Sequence, residues 1–278
     1  MKRFTPLALA ALIGCAPHQD KPTSATSPHA GHGDDKKGGH EQHGQPQVAA
    51  KPSLTVRTEP AAPEAGKPVV LKLMIHDAGG AMLKDFDVVH EQKVHLIIVR
   101  DGLDTFAHIH PALDAAGNIT ASYTFPAGGT YRLYADHQPA GGEPATAIGQ
   151  LMVAGDIPTA PKLMPDAPGK VKGDGVDSQV AVENAKAGGE ATIRFDLTDP
   201  AGEPANDIQP YMGAMGHLVV ISEDGKEYVH AHPAEGKPAA GNVVAFQAHF
   251  PRAGLYKGWG QFRRGGEVRV VPFVVKVE

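Results

Sequence analysis

HLIIVRDGLDTFAHIHP at residues 95–111 returns without a gap as HLVVISEDGKEYVHAHP at residues 217–233. Each copy is a short apolar run, a turn signal built on Asp-Gly, and a second run ending in His-x-His-Pro. Runs of this length, rich in Val and Ile and bounded by turn residues, read as β-hairpins. In the second copy a two-residue turn at Asp224-Gly225 makes Glu223 pair with Lys226, and the ladder then sets His217 opposite His232. His230, two residues from His232, shares its face, because side chains alternate along a strand. In the first copy the turn falls at Asp101-Gly102 or at Gly102-Leu103. These registers oppose His95 to His108 or to His110, and both keep all three rings on one face.

The repeat extends beyond the hairpin. AGKPVVLKLMIHDAGGAM (65–82) aligns on AGGEATIRFDLTDPAGEP (187–204), and FPAGGTY (125–131) on FPRAGLY (250–256). Further β-type runs are Ile119 to Phe125, Tyr131 to Tyr134 and Ile148 to Val153 in the first copy. In the second they are Ser178 to Val182, Val243 to Phe250, Tyr256 to Trp259 and Val268 to Val277. No long run has helical periodicity. The expected fold is all-β, with two tandem immunoglobulin-like β-sandwich domains at 52–155 and 172–278. A Pro-rich linker at 156–171 joins them. Gly-x-Tyr after Phe-Pro is where a tyrosine corner would open a late strand.

The N-terminal side has a different composition. Met1-Lys2-Arg3 and the short apolar run Phe4 to Ile13 read as a signal segment, too short to cross a bilayer. Leu12-Ile13-Gly14-Cys15 resembles a lipobox, which implies a signal peptide over 1–15 and lipidation of Cys15. The competing reading is an ordinary signal peptide with a stray Cys. Ala16, not Asp, follows; in Gram-negative sorting this pattern resembles that of outer-membrane lipoproteins. Residues 16–51 hold almost no large apolar side chain and cannot bury enough surface to order themselves, so a tether is expected. His29, His32, His40 and His43 in this tether are weak metal sites, or else a solvated spacer.

Composition narrows the function classes. The 278 residues contain one Cys and 15 His, with a net charge of -5. With the Cys used as an anchor, disulfides, Cys-based zinc sites, iron–sulfur clusters and blue copper are excluded. No basic stripe marks a nucleic-acid partner. No HExxH, Gly-x-Ser-x-Gly or P-loop marks a hydrolase or nucleotide enzyme.

The informative constellation is the doubled triple: His95, His108 and His110, then His217, His230 and His232. Three imidazoles held on rigid strands suit Zn(II) or Cu(II). The bland reading makes them structural, facing a sandwich interior. Periodicity leaves this open: His95, Ile97, Val99 and Phe106 share one face, Leu96, Ile98, Ala107 and Ile109 the other, and both are apolar. Possible additional ligands are His90, Asp136, His137, Met212 and Met215. The thioethers would suit Cu(I) or serve as core filling.

MGAMGHLVVISEDGKEYVHAHP (212–233) followed by GLYKGWGQF (254–262) resembles a motif of tandem immunoglobulin-like bacterial envelope proteins related to the YtkA-like domain group. In architecture the modules are also similar to the CopC-like copper carriers, whose ligand at the mature N-terminus has no counterpart here, since Cys15 occupies that end. These resemblances imply the fold and an envelope location. The expected function is a lipid-anchored envelope protein, on the periplasmic face of the outer membrane, binding copper or zinc for buffering, delivery or resistance, and not an enzyme. Its implied partners are the membrane and another metal-handling protein of the envelope. The alternative is a non-catalytic adhesion or assembly module with structural histidines. A third reading is a zinc-dependent hydrolase.

Overall fold

The computed structural model describes residues 51–167, 169–233 and 241–278. The expectations for Cys15 and for tether residues His29, His32, His40 and His43 lie outside them. Among the described residues the regular elements are all strands.

The first module contains β1 (Ser53–Glu59), β2 (Pro68–His76), β3 (Val94–Arg100), β4 (Phe106–Ile109), β5 (Ala112–Leu113), β6 (Ile119–Thr124), β7 (Gly129–His137) and β8 (Ala145–Val153). One layer runs β4-β3-β7-β8 and the other β1-β2-β6-β5, joined where Ser53 of β1 meets Ile148 of β8 in a single parallel pair. The second module contains β9 (Lys170–Lys172), β10 (Asp177–Glu183), β11 (Gly189–Thr198), β12 (Ile208–Gln209), β13 (His217–Ser222), β14 (Tyr228–Ala231), β15 (Val243–Phe250), β16 (Gly254–Arg264) and β17 (Glu267–Val277). Its layers are β9-β10-β11-β15 and β14-β13-β16, with β12 and β17 also paired to β16.

Alternation builds each interior. In β2, Val69, Leu71, Leu73 and Ile75 are buried while Val70 and Lys72 face out. In β15, Val244, Phe246, Ala248 and Phe250 turn inward. Tyr131 and Tyr256 donate their hydroxyls to the carbonyls of Ala127 (2.8 Å) and Arg252 (2.9 Å), four residues back. Both late strands therefore open on the tyrosine corner that Gly-x-Tyr predicts.

β3 and β13 break the alternation, being buried at every position. Leu96 and Ile98 enter the core of the first module, and Leu218 and Val220 that of the second. Their neighbours Ile97, Val99, Val219 and Ile221 point the other way. With Tyr134, Trp259, Leu103 and Leu163 they form a third core, shared by the two modules. Each module thus presents the outer face of its β3–β7 or β13–β16 layer to the other. Leu163 comes from the expected linker, whose Pro158 carbonyl accepts from Arg100 at 3.0 Å. The linker is packed down as well as connecting.

The contacts across this interface come in exchanged pairs. Phe106 stacks on Trp259 with ring centroids 4.7 Å apart, and the repeat-equivalent Tyr228 stacks on Tyr134 at 4.6 Å. Lys257 donates to the Leu103 carbonyl at 2.7 Å, and its equivalent Arg132 to the Asp224 carbonyl at 2.6 Å. The modules therefore meet much as two copies meet about a two-fold axis, these contacts recurring with roles swapped and with the acceptors Leu103 and Asp224 one place apart in the repeat.

Both hairpins keep a predicted register with a different turn. Leu218 pairs with Ala231 and Leu96 with Ile109, so His217 stands opposite His232, and His95 opposite His110. The loops, however, hold four residues. Ser222 N donates to Glu227 O and Arg100 N to Thr105 O. In the second loop Gly225 has φ 67 while Asp224 is not left-handed, whereas a type I′ turn needs both.

Candidate metal centre

The histidine face of each hairpin is the face turned to the other module. His95 is the second residue of β3, and its Nε2 donates to the Val89 carbonyl at 3.0 Å. His217 of β13 does the same with the Tyr211 carbonyl at 2.9 Å. Those acceptors sit in tight turns, Val89–Gln92 and Tyr211–Ala214, each closed by a reciprocal backbone pair. The residue after each acceptor, His90 at φ 49 and Met212 at φ 53, is left-handed.

A carbonyl oxygen only accepts, so the bonded Nε2 of His95 and His217 carries the proton. In the neutral ring Nδ1 is then a bare lone pair. His230 is fixed by the opposite nitrogen. Its Nδ1 meets Oδ2 of Asp136 at 2.7 Å, leaving Nε2 bare. Asp136 lies on β7 of the first module and also accepts from Tyr228 (2.5 Å) and Thr146 Oγ1 (2.7 Å). His108 Nδ1 meets Oε1 of Gln261 at 3.0 Å, and Gln261 lies on β16 of the second module. Asp136 and Gln261 hold equivalent places in the repeat, each five residues after its corner tyrosine. Each module thus orients a ring of the other.

The bare nitrogens converge. One ligand atom from each of His217, His230 and His232 lies within 4.8 Å of the others, and the same holds for His95, His108 and His110. His217 Nδ1, His230 Nε2, His232 Nε2 and His110 Nε2 are buried without a hydrogen-bond partner, although such atoms are normally satisfied. His95 Nδ1 and His108 Nε2 are 3.2 Å apart. With both tautomers set as above, two lone pairs face one another there, and a cation between them removes the repulsion. The donor set fits a borderline ion such as Zn(II) or Cu(II), and the outer oxygens fit the partners that orient metal-bound imidazoles.

The two triples form one group of rings. Centroids of His108 and His230 are 5.3 Å apart, those of His95 and His230 5.5 Å, and those of His108 and His217 6.0 Å. His90 crosses from the first module to stack on His232 at 3.6 Å. A cavity of about 340 Å³ opens beside the cluster, lined by His90, Lys93, His95, Asp136, His230 and His232 among others.

Burial, and then the neighbouring rings, hold these imidazoles neutral. His110 and His217 are pushed down to about 4, with the hydrogen bond to Tyr211 opposing the fall at His217, and His232 to about 2. Burial lowers His95, and lowers His108 and His230 far below the ordinary value. Burial raises Asp136, against the hydrogen bonds from Tyr228 and Thr146.

The remaining candidate ligands separate. Asp136 meets the cluster through His230, and His90 through His232. His137, one residue on from Asp136, takes the other face of β7. Its Nδ1 donates to the Ala135 carbonyl at 3.0 Å, and its ring packs edge-on against Phe86. Met215 packs against the core of the second module, and Met212 is buried in its turn. Sequence reasoning missed Gln261, Tyr228 and Thr146 as orienting groups. The signal available was the equivalence of positions 136 and 261 in the repeat.

A family model described as a domain of unknown function, DUF8832, matches twice, at residues 49–154 and 170–278. The chain belongs to the DUF8832 family. Its two DUF8832 domains match the tandem repeat, and the expected immunoglobulin-like all-β fold holds for both. A link to the YtkA-like group or to the CopC-like carriers is not shown by this match. No curated protein matches the chain.

Among solved structures, the Escherichia coli adhesin FdeC is 16% identical, with a TM-score of 0.27 over 81% of this chain and 64% of that one. A tetra-tandem repeat from the extending region of a large adhesion protein is 12% identical, with a TM-score of 0.28 over 82% and 49%. The Yersinia pseudotuberculosis adhesin InvE is 14% identical, with a TM-score of 0.23 over 82% and 60%. The DUF8832 chain spans less than two thirds of each of these three.

Proposed function

We propose that this protein binds a transition metal, copper or zinc, in the histidine cluster between its two DUF8832 domains, as a lipid-anchored envelope protein that buffers, delivers or resists the metal. The observation that carries the reading is the second triple. His217 Nδ1, His230 Nε2 and His232 Nε2 are buried and unpartnered. Two of these three rings have their other nitrogen committed to oxygen. A buried polar atom without a partner costs about 1–3 kcal/mol, and a bound ion removes that cost for all three. The envelope location rests on Leu12 to Cys15, and the reading is of a binding protein, not an enzyme.

The second reading, an adhesion or assembly module with structural histidines, has one observation in its favour. If the Gln261 amide is turned over, His108 Nδ1 accepts from it. His108 Nε2–H then donates to His95 Nδ1 across the same 3.2 Å. The His95–His108 pair of the first triple is satisfied in that arrangement without a metal, and only His110 Nε2 stays bare. The second triple has no such arrangement, because the Asp136 carboxylate is an acceptor at both oxygens.

Calorimetric titration of the full chain separates the readings, with Cys15→Ala for solubility and His18, His29, His32, His40 and His43 replaced by Ala. Cu(II) or Zn(II) should bind with one equivalent for each triple. His108→Ala with His110→Ala should remove one equivalent, and His230→Ala with His232→Ala the other. Metal at ~100 times its Kd should add about 2.7 kcal/mol to stability. A well-folded protein with no binding tighter than millimolar would overturn the metal reading.

A further inference from the structure

We infer that the two triples form a single two-ion centre that fills in order, the position at His217, His230 and His232 first, because the first domain lends that position a carboxylate while the second domain lends the other position only an amide. This rests on the metal reading above and adds which position binds tightly and what makes it so.

The two positions are built alike, so their differences are informative. Ring for ring they match across the repeat: His95 with His217, His108 with His230, and His110 with His232. Each middle ring is gripped at Nδ1 by a residue of the opposite domain, Asp136 for His230 and Gln261 for His108. The grips differ in charge. Asp136 is held in place by Tyr228 and Thr146, so it cannot swing away from His230 without breaking both bonds. A carboxylate behind a metal-bound imidazole raises the basicity of the ring and adds a negative charge to the site, and losing such an outer partner costs roughly 10–100-fold in metal affinity. Gln261 orients His108 and adds no charge.

The surroundings differ in the same sense. The second position also receives His90, stacked on His232 from the first domain, where the repeat-equivalent residue on the other side is Met212. Two of the groups that shape the second position therefore come from the first domain. Proximity then imposes the order. The rings of the two triples approach to 5.3 Å between centroids, so an ion in one position repels an ion entering the other, and unequal sites this close fill one after the other.

The test is stepwise Zn(II) titration of the full chain with the tether histidines replaced, in four backgrounds. The unsubstituted cluster should give two resolved steps. Asp136→Asn should weaken the first step by about 10–100-fold, and Gln261→Glu should strengthen the second. The exchange Asp136→Gln with Gln261→Asp should reverse the order. In that background His108→Ala removes the tight step, where in the parent it is His230→Ala that removes it. A melt in the apo form establishes that each variant is folded, and Gln261→Glu carries the test alone if the Asp136 variants do not fold. Two equal steps, or a tight step lost in parent His108→Ala and kept in His230→Ala, would overturn the ordering and leave the metal reading standing. Absence of any binding tighter than millimolar in the parent would remove both.

Discussion

Val89 and Tyr211 each offer a backbone carbonyl to a histidine six residues ahead, and this local bond decides which nitrogen of the ring faces the cluster. The same rings are kept neutral by burial, with His110 and His217 down at about 4 and His232 at about 2. The sign of the pH dependence follows. The unfolded chain takes up protons on these rings near ~6.5, whereas the folded chain resists uptake until well below that. Apo stability is therefore full above ~6.5 and is lost as pH falls from there toward 4. The melting temperature of the metal-free protein should drop between pH 7 and 5, and a flat profile would mean that the rings are solvated. Metal affinity of the folded protein should hold over the same interval, because proton competition at His110 and His217 begins only near 4. Competition beginning near ~6.5 is what a free imidazole shows, and burial moves it. The six ligand candidates were legible in the sequence because the triple occurs twice. The residues that orient them were less so, because Asp136 and Gln261 act across a domain boundary that sequence spacing does not see.

At the scale of the strand, β3 and β13 carry most of the consequence. Their apolar runs predict two buried faces, and the register predicts that the histidines share one of them. What alternation does not predict is which face meets its own core. Leu96 and Ile98 pack inside the first domain while Ile97 and Val99 leave it, so the histidine face is neither a sandwich interior nor a solvent surface. The Asp-Gly turns were read as two residues and hold four. The register survived because lengthening a hairpin loop by one residue on each strand leaves the same residues opposite one another. Ile97 and Ile221 are fully buried in the shared core. Ile97→Ala or Ile221→Ala should each cost about 2–5 kcal/mol, and should lower the melting of both domains together. If calorimetry instead finds one domain destabilised and the other untouched, the shared core is not coupling them.

At the scale of the molecule, the length of the repeat and the Pro-rich break pointed to two domains, and the DUF8832 matches fall on either side of that break. The break itself is part of the packing through Leu163 and Pro158. Its lack of periodic pattern gave no sign of this, since one buried Leu among prolines has no sequence signature. The anchoring expectation belongs here too. Cys15→Ala should abolish labelling by radioactive fatty acid and release the protein from the membrane fraction. A variant that stays labelled and sedimenting would remove the lipobox reading.

The exchanged contact pairs at the domain interface have a consequence for concentration. Two free chains meeting through such a face would form their centre only above their dissociation constant, and dilution would scatter the ligands. Here the 16 residues between β8 and β9 (154–169) hold the second half beside the first at an effective concentration on the order of millimolar. The ring cluster is therefore assembled at any protein level, and a single chain on its own carries all six rings.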